Sequence, residues 1–255
     1  MLYIRKLYNG SLDDLDASKK LITTLNAHSY NTLKKDPTFG ESLSASDILL
    51  PDGVSMVWAS RFLSGRKIIK IAGNDLFEFQ MKRMQNKGGK CFFLGSSEHT
   101  LQLIKERSER EYPNVEVFFY SPPFKSEFSE EDNHKMIDAV NEVMPDVLFI
   151  GMTAPKQEKW AYENFHKLEA GHICCIGAVF DFYAGTVKRA PHWMIYSGME
   201  WFYRLVKEPR RMWKRYVIGN PVFIQKIIKQ RLHPEHKEMA HYDLLEEKEF
   251  IKNKI

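Results

Sequence analysis

The sequence predicts an α/β protein: a Rossmann-like, mostly parallel sheet with flanking helices, plus a C-terminal basic helical appendage. Short apolar runs alternate with amphipathic stretches between about residues 21 and 182, which is typical of a parallel sheet covered by helices. After Gly185 the strand pattern stops. Eleven lysines and arginines against two glutamates between residues 188 and 231 give this part a local charge of +9, in a chain of net charge +4.

The elements follow in order from these patterns. Apolar runs predict strands at residues 90–94, 115–119, 147–150 and 173–176. Apolar residues at three- and four-residue steps predict helices over residues 75–86, 98–111 and 130–143. Ser129 and the three acidic residues after it supply an N-cap and an acidic first turn for the last of these. The remaining chain predicts helices interrupted at Pro191, Pro209 and Pro221.

Length and composition limit the domain count and the compartment. With 255 residues and 44% hydrophobic content, the chain has enough apolar material for one large core. We predict an α/β core over residues 1–190 and a helical, membrane-associating appendage with a charged tail over residues 191–255. No run approaches the roughly 18 apolar residues that cross a bilayer, and residues 1–13 lack signal-peptide features. The expected location is therefore the cytoplasm, with the protein peripherally associated with the inner face of the cell membrane.

Cysteine and histidine usage gives no sign of a metal site. Cys91, Cys174 and Cys175 lie in apolar runs without metal-ligand spacing, which fits buried residues in a reducing compartment. The nine histidines form no H-E-x-x-H cluster, so a zinc enzyme is not expected. A G-x-S-x-G elbow is absent as well, which argues against an α/β-hydrolase.

The loop that begins at Gly95 is the first candidate for ligand binding, because open α/β sheets bind ligands at the carboxyl ends of their strands. It follows a predicted strand and opens a helix, whose backbone N–H groups are suited to a phosphate. A plain strand-to-helix turn explains the same pattern without a ligand. Neither interpretation is excluded by the sequence.

The loops after the next two predicted strands carry further polar residues. Thr153 suits close approach of a ligand, and Lys156 and Gln157 suit an anion or a sugar hydroxyl. Capping of the following helix is an equally good explanation for them. Asp181 places a single carboxylate shortly after the last predicted strand.

The segment Pro51-Asp52-Gly53 has the signature of a surface turn. Its flanks are apolar, however, and would hold Asp52 at the edge of a core. A carboxylate in that position can act as a general base, with its pKa raised by partial burial. Both interpretations remain open from the residues alone.

The segment Asp14-Leu15-Asp16 matches the D-x-D pattern of metal-dependent sugar-nucleotide transferases. It precedes an amphipathic stretch, so we interpret it as the N-cap of a helix. No metal ligand is therefore predicted.

The C-terminal part contains one apolar stripe at helical spacing, formed by Phe223, Ile224, Ile227, Ile228 and Leu232. Lys226, Lys229 and Arg231 accompany it, as in a helix that lies on an anionic membrane surface. The alternative is a helix packed on the protein's own core with a solvated basic face. No nucleic-acid partner is expected, because the cations sit among large aliphatic residues outside any known binding module.

Several segments in one order resemble the WecG/TagA/CpsF glycosyltransferases, glycosyltransferase family 26, over roughly residues 21–216. The matching segments are Thr24-Leu25-Asn26-Ala27, Pro51-Asp52-Gly53, residues 151–158, Phe180-Asp181 with Gly185, Arg189-Ala190-Pro191, Glu200-Trp201, Tyr203-Arg204-Leu205, Glu208-Pro209-Arg210 and Arg215-Tyr216. The resemblance implies an inverting, metal-independent enzyme without a cofactor. It would transfer a sugar of the N-acetylmannosamine, N-acetylmannosaminuronic acid or glucose type from a UDP-sugar donor to a polyprenyl-diphosphate-linked saccharide, in the biosynthesis of cell-surface polysaccharides such as capsule or exopolysaccharide.

The resemblance also implies roles for individual residues. Asp52 would be the catalytic base. Donor-binding residues would be Thr24, Asn26, Gln157 and Asp181. Gly95 joins them as a donor-binding candidate because of its position in the loop after a predicted strand, not because of the resemblance. The diphosphate and acceptor would meet arginines of the appendage, Arg189, Arg204, Arg210 and Arg215. The membrane contacts predicted above, Lys226, Lys229 and Arg231, rest on the pattern of the C-terminal stripe and lie outside the resemblance.

Other classes of function compete with this one. A dinucleotide-dependent oxidoreductase would need a G-x-G-x-x-G fingerprint, which the chain lacks. A non-catalytic adaptor with a nucleotide-binding α/β core would explain the basic C-terminus but would leave the strand-end loops without a purpose. The sequence leaves open whether the protein forms a homo-oligomer.

Overall fold

Six parallel strands form one sheet in the order β2-β1-β6-β5-β3-β4, in a computed structural model that describes residues 2–33 and 35–232. The strands are β1 (Lys20–Leu25), β2 (Ile48–Pro51), β3 (Gly89–Gly95), β4 (Val115–Tyr120), β5 (Val147–Gly151) and β6 (His172–Cys175). Helices flank the sheet, so the predicted fold class is confirmed.

The α-helices fall into two groups. Those of the sheet region are α1 (Leu2–Arg5), α2 (Ala27–Thr32), α3 (Pro37–Ala45), α4 (Val54–Ser64), α5 (Gly73–Lys87), α6 (Glu98–Glu111), α7 (Glu130–Val143), α8 (Lys156–Asn164) and α9 (Val179–Ala184). Those of the C-terminal part are α10 (His192–Tyr196), α11 (Glu200–Lys207), α12 (Pro209–Trp213) and α13 (Gly219–Leu232), with a π-helical segment at Lys214–Ile218. Short 3-10 helices occur at Leu12–Asp14 and Phe165–Lys167.

The predicted elements are confirmed, with strand ends displaced by at most one residue. Helices α6 and α7 begin where predicted because serines cap them: Ser97 accepts from the backbone N–H of Thr100 and Ser129 from that of Asp132, each at 3.2 Å. Asp132 accepts in return from the N–H of Ser129 at 2.9 Å, which completes a capping box.

The interpretation of Asp14-Leu15-Asp16 as a helix N-cap is wrong in one respect. The stretch that follows is not a helix but the unpredicted strand β1. Asp14 accepts from the N–H of Ser11 in the capping box of the short 3-10 helix, and Asp16 accepts from the N–H of Ser18 at 2.9 Å. The backbone carbonyl of Asp16 lies 2.8 Å from His172 Nε2, at the amino end of β6. The motif therefore lies at the amino edge of the sheet.

Apolar side chains cover both faces of the sheet, as expected for parallel strands. One face contributes Phe93 and Phe149 to a layer that includes Phe77 of α5 and Phe180 of α9. The other face contributes Leu94, Ile150 and further residues to a layer with α7 and α8. Every cysteine is buried in these layers, at Cys91, Cys174 and Cys175, as predicted.

Helix α13 packs on the sheet region through part of its apolar stripe. Phe223 and Ile227 are buried against α2, and the ring of Phe223 meets Tyr30 edge to face, with centroids 5.3 Å apart. Pro221 does not end the helical run, contrary to the prediction: it is the third residue of α13, which follows directly on the π-helical segment Lys214–Ile218. The division of the chain at residue 190 stays a prediction, and its charged tail from His233 onward lies outside the described residues.

The carboxyl ends of the strands meet at one edge of the sheet. The chain leaves β3 toward β4 and leaves β5 toward β6, in opposite directions, so a crevice is expected between β3 and β5. Gly95 and Gly151 end these two strands, and a Cβ at Gly95 would lie only 2.6 Å from the carbonyl oxygen of Gly151. Gly95 also has φ +120°, so glycine is required there.

Within the described ranges no helix is long and apolar enough to cross a membrane.

Candidate active site

A cleft of about 1430 Å³ occupies the carboxyl edge of the sheet. Loops that follow the strands form its base, and residues of α10 to α13 form the opposite wall. The cleft brings together almost all of the predicted site residues: Thr24, Asn26, Asp52, Gly95, Gln157, Asp181, Arg189, Arg204 and Arg215.

Asp52 lies directly after β2 and before α4, in a connection between strand and helix and not in a hairpin turn. Its backbone N–H donates to the carbonyl of Leu25 at 2.9 Å, which fixes the loop to the end of β1. Gly53 then adopts φ +101°, a conformation that favours glycine, and so starts α4 at Val54.

Asn26 orients the Asp52 carboxylate. Its Nδ2 donates to Asp52 Oδ2 at 3.2 Å, while its Oδ1 accepts from the N–H of Ser29 and caps α2. The Asn26 side chain therefore connects the ends of β1 and β2. Because its Oδ1 faces the N–H of Ser29, its Nδ2 is the group that faces Asp52. Burial raises the pKa of Asp52, while the hydrogen bond from Asn26 and the charge of Arg215 oppose this rise. A carboxylate held in this way is suited to accept a proton.

Gln157 and Glu158 lie side by side in the first turn of α8 and both line the cleft. Gln157 Nε2 donates to Glu158 Oε1 at 2.8 Å. The remaining oxygens, Gln157 Oε1 and Glu158 Oε2, are buried without a hydrogen-bond partner in the described part of the chain. Burial raises the pKa of Glu158 to about 7. Glu158 is the last residue of the matching segment 151–158, and no sequence pattern indicates that its carboxylate holds the amide of Gln157.

Lys156 lines the cleft beside Gln157, but its Nζ already has partners. Its Nζ donates to the carbonyl of Lys125 at 2.5 Å and lies 3.5 Å from the ring centroid of Phe128. It therefore holds the loop after β4 against α8. Its contact with an anion stays a prediction.

Asp181 lies in α9, and its carboxyl group faces the C-terminal wall. Burial raises its pKa, and the nearby charges of Arg211 and Arg204 oppose the rise. Its backbone carbonyl accepts from the N–H of Val187, which closes the turn after α9. Asp181 thus lies where the sheet region meets the basic C-terminal part.

The predicted arginines differ in their placement. Arg204 and Arg215 line the cleft, and the Nε of each is buried without a hydrogen-bond partner among residues 2–33 and 35–232. Arg189 also lines it and pairs with Glu200, Nε to Oε1 at 3.5 Å. Arg210 is exposed and does not line the cleft, whereas its neighbour Arg211 does, held by Glu208 at 2.7 Å.

The predicted membrane residues lie outside the cleft, on α13. Lys226 Nζ donates to the carbonyl of Asn31 and Arg231 Nη1 to that of Leu63, each at 3.3 Å, while Lys229 is exposed. The apolar stripe of α13 is divided: its buried residues pack on the core, and Ile224, Ile228 and Leu232 remain 44%, 42% and 72% exposed. Packing on the protein's own core is therefore confirmed for Phe223 and Ile227, and contact of the exposed residues with a membrane stays a prediction.

Comparison with known proteins gives the class of this protein. The model of the glycosyl transferase WecG/TagA/CpsF family matches residues 7–237, most of the chain. The chain therefore belongs to the WecG/TagA/CpsF family and is a glycosyltransferase.

Three relatives of this chain, from two Bacillus species and from Staphylococcus aureus, have the same enzyme name. The chain is 30% identical to an N-acetylglucosaminyldiphosphoundecaprenol N-acetyl-beta-D-mannosaminyltransferase of Bacillus subtilis strain 168, over 82% of this chain and 79% of that protein. It is 29% identical to the enzyme of that name in Bacillus spizizenii, over 89% and 85% of the two chains. A Staphylococcus aureus enzyme of the same name is 24% identical, over 82% and 80%.

Proposed function

We propose that this protein is an inverting, metal-independent glycosyltransferase that moves a sugar from a UDP donor to a polyprenyl-diphosphate-linked saccharide in cell-surface polysaccharide synthesis. The observation that carries the proposal is the carboxylate of Asp52, oriented by Asn26 in the cleft that also contains Arg204 and Arg215. N-acetylmannosamine is the first sugar to test, with N-acetylglucosaminyl-diphosphate-lipid as acceptor, because the named relatives are enzymes of that specificity. N-acetylmannosaminuronic acid and glucose are the other donor sugars to test.

Asp52 would act as the general base. The acceptor hydroxyl gives its proton to the carboxylate as its oxygen bonds to the anomeric carbon of the donor sugar. The bond from that carbon to the β-phosphate oxygen of UDP breaks on the opposite face, so the configuration inverts and UDP leaves with the bonding electron pair. One carboxylate is enough for this step, since no covalent sugar–enzyme intermediate is formed.

The leaving diphosphate needs positive charge, which the C-terminal wall can supply. Arg204 and Arg215 present guanidinium groups to the cleft, and their buried Nε atoms lack a partner in the part of the chain that is described. Guanidinium groups suit phosphate oxygens because they offer several donors in a fixed plane. The N-terminus of α6, next to Gly95, adds backbone N–H groups on the other side of the cleft.

Metal independence is supported by the position of the D-x-D motif. Asp14 and Asp16 lie at the amino edge of the sheet, away from the cleft at the carboxyl edge. Elsewhere in the described residues no three His, Cys, Asp or Glu side chains are grouped closely enough to hold a metal ion. The arginines are then the charges available to the diphosphate.

Peripheral association with the membrane is part of the proposal, because a polyprenyl-linked acceptor resides there. The exposed apolar residues of α13 lie beside Lys229 and Arg231, and a further group of exposed aromatic residues, Trp193, Trp201, Phe202 and Trp213, lies on α10 to α12. Apolar and cationic side chains together suit an anionic bilayer surface.

The test is a donor screen with a short-chain polyprenyl-diphosphate N-acetylglucosamine acceptor, read by mass spectrometry, with and without excess EDTA. We expect the acceptor mass to increase by one sugar residue, with equal yield in both arms. A yield lost with EDTA and restored by Mn²⁺ or Mg²⁺ would contradict metal independence. Binding of liposomes without transfer from any donor would favour the non-catalytic adaptor.

A further inference from the structure

Helix α4 exposes an apolar stripe although its opposite face is buried. Val54, Trp58 and Phe62 recur every four residues and are 51%, 40% and 37% exposed. The rings of Trp58 and Phe62 are stacked, with centroids 5.2 Å apart and planes at 11°. Large exposed side chains in one row on a helix of the sheet region indicate a surface that is covered by another molecule.

This stripe begins at the candidate base. Asp52 is two residues before Val54, and Val54 and Trp58 line the same cleft as Asp52. From Val54 to Phe62 the helix rises about 12 Å, so the stripe leads from the cleft to the outside of the protein.

Helix α13 forms the other side of this path. Ile224 lines the cleft at 44% exposure, and Ile228 follows one turn later at 42%. At the outer end, the Arg231 guanidinium lies 5.9 Å from the ring centroid of Phe62 and its Nη1 donates to the carbonyl of Leu63. The two helices thus hold an apolar strip between them, formed by Val54, Trp58, Phe62, Ile224 and Ile228.

We propose that this apolar strip binds the first isoprene units of the polyprenyl chain of the acceptor. The inference rests on the proposed function, because it requires a lipid-linked acceptor. When the acceptor hydroxyl lies at Asp52, the hydrocarbon chain beyond the acceptor's own diphosphate must leave the cleft, and the stripe that begins at Val54 offers an exit. A wall of aliphatic and aromatic side chains suits a branched hydrocarbon, which forms no hydrogen bonds.

The experiment compares two acceptors with the same sugar and diphosphate, one with a single isoprene unit and one with about four. In the double variant Phe62→Ala with Ile228→Ala, we expect KM for the longer acceptor to rise roughly tenfold, because apolar contacts with the chain are lost. KM for the single-isoprene acceptor should change less than about twofold. Ile69→Ala is the matched control, since Ile69 is 79% exposed and does not line the cleft. The control should leave both KM values as in the wild type.

Three outcomes separate the possibilities. If the double variant changes KM for both acceptors equally, the strip does not bind the chain. If it weakens liposome binding and leaves the chain-length preference intact, the strip contacts the bilayer and the proposal is wrong. If the wild type transfers sugar to neither acceptor, the proposed function itself fails. Thermal unfolding of each variant checks that the fold is retained, which we expect because Phe62 and Ile228 are both exposed.

Discussion

The sheet region and the C-terminal wall of the cleft hold their polar groups in different ways. At the strand ends, polar side chains are held by local bonds: Asn26 caps α2 and donates to Asp52, and Ser97 caps α6. On the C-terminal wall, Arg204 and Arg215 bury an Nε without a partner within the described residues. Asp52 is thus held in a fixed geometry by its neighbour Asn26. Arg204 and Arg215 instead keep an Nε donor that is suited to an anion bound in the cleft.

The largest effect is expected from the base. Asp52→Asn should lower kcat by roughly 100-fold or more, because general-base assistance is lost, while UDP binding changes little. In the wild type, kcat/KM should fall as the pH falls through the raised pKa of Asp52, since only the ionised carboxylate accepts a proton. Steady-state kinetics and calorimetric titration with UDP measure both quantities.

Asp16→Asn is the matched control for this variant, because Asp16 is exposed at the opposite edge of the sheet. It should retain the activity of the wild type. Turnover close to wild type in Asp52→Asn would remove Asp52 from the mechanism, and strong loss in Asp16→Asn would revive the metal-binding interpretation of the D-x-D motif.

The second effect concerns the C-terminal wall and compares two arginines of one segment. Arg215→Ala should lower kcat/KM about tenfold to 100-fold, because one charge facing the leaving diphosphate is lost. Arg210→Ala should have less than about a threefold effect, since Arg210 is exposed and does not line the cleft. Equal losses in the two variants would mean that the net charge of the C-terminal part matters for catalysis and the position of each arginine does not.

Local patterns predicted most of the sheet region and few of its long-range contacts. Helices α6 and α7 were predictable because a capping serine and an amphipathic period lie within one segment. The first two strands were not predicted: β2 has only four residues, and its terminal proline belongs to a turn signature. The placement of Asp52 then depended on the pairing of β1 with β2, which no local pattern contains.

The arginines show the same limit. Arg210 and Arg211 are adjacent in the sequence, but successive residues of a helix point about 100° apart, and only Arg211 reaches the cleft. Segment 151–158 includes Glu158 but does not indicate its hydrogen bond with Gln157. A side-chain contact between neighbouring residues depends on how α8 packs against the sheet. The division of the α13 stripe likewise depended on which residues meet Tyr30.

The third prediction concerns the loss of stability that the buried Glu158 carboxyl group causes in the sheet region. The pKa of Glu158 is raised from 4.5 to about 7 in the folded protein, so the folded state binds more protons than the unfolded state between these values. The free energy of unfolding should therefore fall as the pH rises from about 4.5 to about 7, by at most about 3 kcal/mol. Urea denaturation should show a larger loss in the wild type than in Glu158→Gln, where the raised pKa values of Asp52 and Asp181 still contribute. Glu163 is exposed on the same helix, so the Glu163→Gln variant should show the same pH dependence of unfolding as the wild type. An unchanged slope in Glu158→Gln would mean that other groups cause it.

The smallest effect is expected at the outer surface of the C-terminal part, where charges are solvated. Lys229→Gln should weaken binding to anionic liposomes by about 1 kcal/mol at low salt, roughly fivefold, because one exposed cation beside Ile228 is removed. Transfer to a short-chain acceptor in detergent should not change. Lys87→Gln is the control, since Lys87 is also exposed but ends α5 just before β3, at the amino edge of the sheet. Binding is measured by co-sedimentation over a range of salt concentrations, and the difference between the two variants should vanish as salt screens the surface. Equal weakening by both changes would show that the liposome senses the net charge of the whole protein and not a docking face on α13.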